Sequence, residues 1–187
     1  MSIKDVRRSI VSAQLLARLA AERGVEAAAC LRDTGLTEAG LEDPRTEVTA
    51  AQELQLVRNL QNALGPSPGL GLDAGMRYRL STYGIWGFAM LTSPTLRSAA
   101  EVAENYLDLS FAFVRFHTSF GPDVVRTVLD DSSIPGDVRQ FFLERDFAAW
   151  SNATRELWPG GLPVRQVRFR FARPVHAARF AALCCVE

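Results

Sequence analysis

The residue types that most enzymes rely on are scarce in this chain. Histidine occurs twice, at His117 and His176, too few for a metal site built from several imidazoles. No H-E-x-x-H, G-x-S-x-G or G-x-x-x-x-G-K-[ST] phrase is present. The run GPSPGLGLDAG after Leu64 is rich in glycine, but it contains prolines, lacks lysine and follows a helical stretch instead of a strand. A nucleotide-cradling loop is therefore not expected. Asp130 and Asp131 stand beside Ser132 and Ser133, which is ordinary turn composition. Spacing offers no acid–base pair, so neither catalysis nor a cofactor is expected.

What the chain does offer is aromatic rings with a few charges among them. From Phe111 the residues alternate, with Phe111, Phe113, Arg115 and His117 on one side and Ala112, Val114, Phe116 and Thr118 on the other. A face of two rings and two cationic groups suits a small amphipathic anion. The rings would bury its carbon frame and Arg115 would meet a carboxylate through paired hydrogen bonds. The alternative leaves Arg115 and His117 in solvent beyond the core. Arg145, four residues after Phe141 on a long helix, either reaches the same space or lies at the surface, and the surface is the expectation. A second cluster, Tyr78, Tyr83, Trp86, Phe88 and Met90, surrounds Gly84 and Gly87. Tyr83, Trp86 and Phe88 are candidate pocket walls, with core packing as the alternative. Trp150 and Trp158 suit either core packing or a dimer contact.

The elements that must position these residues follow from periodicity. Val11, Leu15, Leu16, Leu19 and Ala20 form one helical stripe that stops at Gly24. Short helices are expected over 25–32 and 36–41. Thr49 reads as the N-cap of a helix over 50–64, closed by Gly65-Pro66. Ser93 with Pro94 is expected to open a helix whose buried face holds Leu96, Ala99, Ala100, Ala103, Tyr106 and Leu107. The alternation from Phe111, the turn at Gly121-Pro122-Asp123 and renewed alternation over 124–129 predict an antiparallel hairpin. A long helix should run from about Ser133–Asp137 to Trp158 and stop at Pro159-Gly160-Gly161, with a third strand over 164–171. The whole reads as α+β: a helical N-terminal subdomain over 1–66, then an antiparallel sheet with packed helices over 67–187.

Composition narrows the class. With 187 residues, 48% hydrophobic and 22% charged, the chain can bury a core without metal or disulfide staples. Its 21 basic and 21 acidic residues give no net charge, unlike a domain that grips DNA by itself. Two short helices around Gly35 invite a helix-turn-helix reading, but the segment from Leu19 to Arg58 carries more acid than base and would repel phosphates. Cys30, Cys184 and Cys185 form no C-x-x-C pair, which fits a reduced, cytoplasmic protein. No leader-like apolar run or stretch of about 18 uninterrupted apolar residues occurs, so no membrane partner is expected.

The order of these features resembles a known family. The phrase YGIWGFAMLTSPTLRSA, the continuation AEVAENYLDL, the Phe-rich alternation and the late PVRQVRFRFARPVHAARF look like the arabinose-binding-type N-terminal domain of AraC/XylS transcription regulators. The early RGVEAAACLRDTGLTEAGLEDPRTEVTAAQELQL follows the same layout, so the resemblance covers nearly the whole chain. It implies an effector-sensing, dimerising half that binds a small molecule of unassigned identity. DNA would be reached through a C-terminal helix-turn-helix domain absent from these residues, and RNA polymerase is a further implied partner of the full-length protein. Arabinose itself is not implied, because members share fold more than ligand. The other class left open is a freestanding protein-interaction module without a small-molecule ligand. Arg165, Arg168, Arg170, Arg173 and Arg179, with no acid among them over 164–180, fit either a basic edge facing DNA or a solvated strand face.

Overall fold

The computed structural model describes residues 7–160 and 162–184, so Gly161 and Cys185 of the sequence reading lie outside it. The fold is α+β, with helices outnumbering two small antiparallel pairs. The chain divides into two compact units.

The first unit holds the described residues up to Ser67 together with Asp108–Phe111 and Pro135–Val138. Strand β1 (Arg7–Ser9) pairs with β2 (Glu47–Thr49), Arg8 opposite Val48. Helix α1 (Val11–Glu22) buries Leu16, Leu19 and Ala20, as its stripe requires. Helices α2 (Ala27–Leu31) and α3 (Glu38–Glu42) are short. Helix α4 (Ala50–Leu64) is opened by a capping box: the Gln52 N–H donates to Thr49 Oγ1 at 3.3 Å and the Thr49 N–H to Gln52 Oε1 at 3.0 Å. Ser12 on α1 donates to Glu53 on α4 at 2.6 Å inside the interface, so a buried carboxylate is answered by a hydroxyl. Cys30 is buried, and burial pushes its thiol pKa up, keeping it protonated and inert.

The second unit is built on helix α8 (Arg139–Leu157), in which every residue from Phe141 to Ala149 is buried. Helix α5 (Leu70–Gly75) lies against it at backbone distance. A Cβ on Gly71 would sit 2.4 Å from the Phe141 carbonyl oxygen, and one on Gly75 would sit 2.2 Å from that of Arg145. The two glycines are one helical turn apart and form the flat surface that permits this approach. Asn152 of α8 donates to the Met76 and Tyr78 carbonyls at 3.1 and 3.2 Å, satisfying the backbone where the chain leaves α5. A 3-10 turn at Leu80–Tyr83 leads to α6 (Ile85–Leu91) and then α7 (Leu96–Asn105). Leu80, Trp86, Met90, Ala99 and Leu107 make one core cluster. Helix α9 (Ala177–Cys184), for which the sequence reading had no element, supplies Phe180 and Leu183 to a second cluster with Leu72 and Phe147.

The expected hairpin is present as β3 (Arg115–Phe120) and β4 (Val125–Asp130), Arg115 opposite Asp130 and Phe120 opposite Val125. Three expectations need correction. The first strand begins at Arg115 and not at Phe111. Residues 164–171 form no strand: Phe169 and Phe171 pack onto Phe147 and Phe180 while Val167 stays exposed, so ring packing takes the place of a ladder. Helix α7 is capped by Thr95, whose hydroxyl accepts the Ser98 N–H at 3.1 Å, and not by Ser93; Tyr106, at its end, is exposed.

The α5–α8 approach can be checked by substitution. Gly75→Ala gains up to ~1 kcal/mol in helix propensity but drives a methyl into backbone that cannot yield, at a cost of about 1–3 kcal/mol or more. Urea unfolding should show net destabilisation, whereas Gly136→Ala, which meets nothing within 4 Å, should stay within ~0.5 kcal/mol of the parent.

Candidate functional site

The second unit contains a charge pair at its centre. Arg145 is 1% exposed and Asp146 3%, although α8 presents them to the interior from adjacent positions. Arg145 Nε and Nη2 reach Asp146 Oδ1 at 2.8 and 2.7 Å. The other carboxylate oxygen, Oδ2, accepts the backbone N–H groups of Phe113 at 2.7 Å and Val114 at 3.0 Å. The guanidinium lies over the rings of Phe142, Phe113 and Tyr78, 4.7, 5.2 and 5.4 Å from their centroids. The surface position expected for Arg145 is thus corrected. The phrase Phe-Phe-Leu-Glu-Arg-Asp-Phe-Ala-Ala leaves α8 no polar stripe to turn toward water, so its charges must be answered inside.

The structure does not bring the four candidate residues of the Phe111 face together. Phe111 is buried in the first unit and Phe113 in the second. Asp146 takes the N–H groups of Phe113 and Val114, so this stretch cannot join the ladder, and pairing starts only at Arg115. From there Arg115 and His117 stand exposed on the outer face of the hairpin, on the side of Val128 and Asp130. The Asp130 carboxyl is held below its ordinary range first by hydrogen bonds from Ser132, whose N–H donates at 2.9 Å, and then by the nearby His117 and Arg170 charges. That face is open and polar.

The opposite face of β3, Phe116, Thr118 and Phe120, turns inward. Phe116 packs on the Trp86 cluster, while Thr118 and Phe120 meet α7. Thr118 N–H donates to Glu104 Oε1 at 2.5 Å, and Arg97 lies over the Phe120 ring at 4.1 Å. Between α7 and β3 this leaves a groove of about 270 Å³, lined also by Glu101 and Asn105. Sequence reasoning missed these residues.

The aromatic candidates divide. Trp86 is buried, with the Tyr83 ring 4.9 Å away at a steep angle, and its Nε1–H has no acceptor among the described residues. Phe88 points outward, 61% exposed. Trp150 packs beside Phe147 and Trp158 is half exposed. Of the arginines over 164–180, Arg165, Arg168, Arg170 and Arg173 are exposed, while Arg179 turns in to pair with Asp73. His176 Nε2 meets the buried Glu144 carboxylate at 2.9 Å and ties the start of α9 to α8.

Residues 24–187 match the arabinose-binding domain found at the N-terminus of AraC transcription regulators. The chain belongs to that family. Relatives include helix-turn-helix-type transcriptional regulators of Mycobacterium tuberculosis and Mycobacterium bovis, each 37% identical over 77% of this chain and 42% of the relative. The ornithine utilization regulator of Pseudomonas aeruginosa is 29% identical over 92% of this chain and 50% of its own length. The chain thus spans about half the length or less of the relatives it matches. No described helix is long and apolar enough to cross a membrane.

The buried pair gives a direct test. Asp146→Asn removes the carboxylate that the Arg145 guanidinium meets in the interior and should destabilise the domain by about 3–5 kcal/mol in urea unfolding. Adding Arg145→Met should recover part of that loss, because neither charge then remains; a single variant within ~1 kcal/mol of the parent would show that the pair does not organise this region.

Proposed function

We propose that this chain is the effector-sensing and dimerising domain of an AraC-type transcription regulator, acting in the cytoplasm as a binding protein and not as a catalyst. The observation that carries this reading is the family match over residues 24–187, joined to relatives that are helix-turn-helix-type regulators more than twice as long as the part they share with it. DNA is reached through a C-terminal helix-turn-helix domain of the full-length protein, where RNA polymerase is a further partner. An effector changes transcription only by binding two arrangements of the protein with different affinity.

Within the second unit, the Tyr83–Trp86 cluster and, separately, the groove between α7 and β3 support the sensing role. A buried indole N–H without an acceptor is a donor a ligand can satisfy, worth about 1–3 kcal/mol. Arg115, His117, Phe113 and Arg145 then serve the site only at a distance, through the backbone that Asp146 fixes, and Phe111 belongs to the first unit. Binding of a small molecule should raise the melting temperature of the full-length protein and add mass in native mass spectrometry. A metabolite panel that leaves both unchanged would count against the sensing role.

Self-association has its own support. Ile85, Phe88 and Leu91 form an exposed apolar stripe on α6, 74%, 61% and 49% accessible, and no charged residue occurs from Leu80 to Leu96. A two-fold dimer brings a patch against its own copy, so a charge-free stripe meets no like charge there. In sedimentation velocity, Phe88→Asp should shift the protein toward monomer. An unchanged dimer would assign the contact to another surface.

A further inference from the structure

The groove between α7 and β3 is lined by charges of both signs whose spacing specifies a ligand. Arg97, Glu101 and Glu104 stand at successive turns of one face of α7, so their Cα atoms are spread over about 10 Å along the helix axis. The facing wall is Thr118 and Phe120 of β3. Arg97 is stacked on the Phe120 ring at 4.1 Å, which holds the guanidinium plane and leaves the N–H groups at its edge free to grip a carboxylate in paired fashion. Glu101 has no hydrogen-bond or ionic partner among the described residues. Glu104 commits one oxygen to the Thr118 N–H, which locks α7 to the strand, and keeps the other. Two carboxylates and one guanidinium give the lining a net charge of minus one.

From this arrangement we propose that the groove binds an α-amino acid with a cationic side chain, its carboxylate on Arg97 and its two cationic groups on Glu101 and Glu104. This rests on the effector-sensing reading above and names the ligand class for it. Such a ligand carries one negative and two positive groups, the complement of the lining. A simple anion meets two carboxylates, a neutral sugar leaves all three charges without a counter-charge, and a diamine leaves Arg97 unanswered. The groove's volume of about 270 Å³ lies at the small end of small-molecule sites, which suits a ligand of amino-acid size. An extended side chain running along α7 would place its far ammonium one to two turns from its carboxylate, and the Phe120 ring would cover its methylene groups.

The test is isothermal titration of the full-length regulator with L-ornithine, L-lysine and L-arginine, against L-norleucine, which lacks the far ammonium, and cadaverine, which lacks the carboxylate. At least one dibasic amino acid should bind, about tenfold or more tighter than either control, since each control forfeits a charge-assisted contact. Arg97→Met should weaken that amino acid by about tenfold or more and leave cadaverine unchanged, while Glu101→Gln, which breaks no contact within the protein, should weaken both. Dibasic amino acids that bind with unaltered affinity to both variants would overturn the site. If none binds but another metabolite raises the melting temperature equally in parent and variants, the inference falls and the effector-sensing reading stands. If no compound of any class shifts the protein, both fall.

Discussion

The second unit is organised by one carboxylate. Asp146 sits near the middle of a helix with no polar face, and it gathers four donor contacts: two from the Arg145 guanidinium and two from consecutive backbone N–H groups. Desolvating such a pair is expensive, and attraction offsets the cost only when nearly every lone pair is answered. The complete donor set is what makes a unique geometry. It fixes the backbone at Phe113 and Val114, which sets where β3 starts and which side of it faces α7. The groove, the Phe116 contact with the Trp86 cluster and the outward placement of Arg115 and His117 all follow from that start.

The parts of the fold governed by local chemistry were legible from the sequence. The stripe of α1, the Thr49 cap and glycine stop of α4, and the Gly-Pro-Asp turn of the hairpin each depend on residues within a few positions of one another. Strands β1 and β2 are too short for alternation to register. The apparent third strand had the right period for the wrong reason: Phe169 and Phe171 alternate to reach Phe147 and Phe180, not a partner ladder.

The candidate site was less legible, because its two walls are distant in sequence. Arg97, Glu101 and Glu104 opposite Ala99, Val102 and Ala103 read as the solvated face of an ordinary amphipathic helix. Only the arrival of Thr118 and Phe120 turns that face into one side of a groove. The four-residue offset of the strand start had a larger effect than any missed helix. It took Phe111 and Phe113 out of the strand and left Arg115 and His117 on its exposed face, so the functional reading passes to Phe116, Thr118 and Phe120 on the other side. The signal that could have located it was the Glu-Arg-Asp triplet inside an otherwise apolar helix.

Gly87 carries a different kind of information. A Cβ there would lie 1.9 Å from the Leu80 carbonyl oxygen, so the room any side chain would need is already filled by the backbone of the 3-10 turn that precedes α6. Its neighbour Phe88 faces outward and answers to whatever covers α6. Residue 88 can therefore change without disturbing the packing of this chain, whereas residue 87 cannot unless the turn before α6 is rebuilt. A position with no room for a side chain and one whose side chain meets only solvent in this chain stand side by side, so the tolerance of α6 to change differs sharply between neighbours.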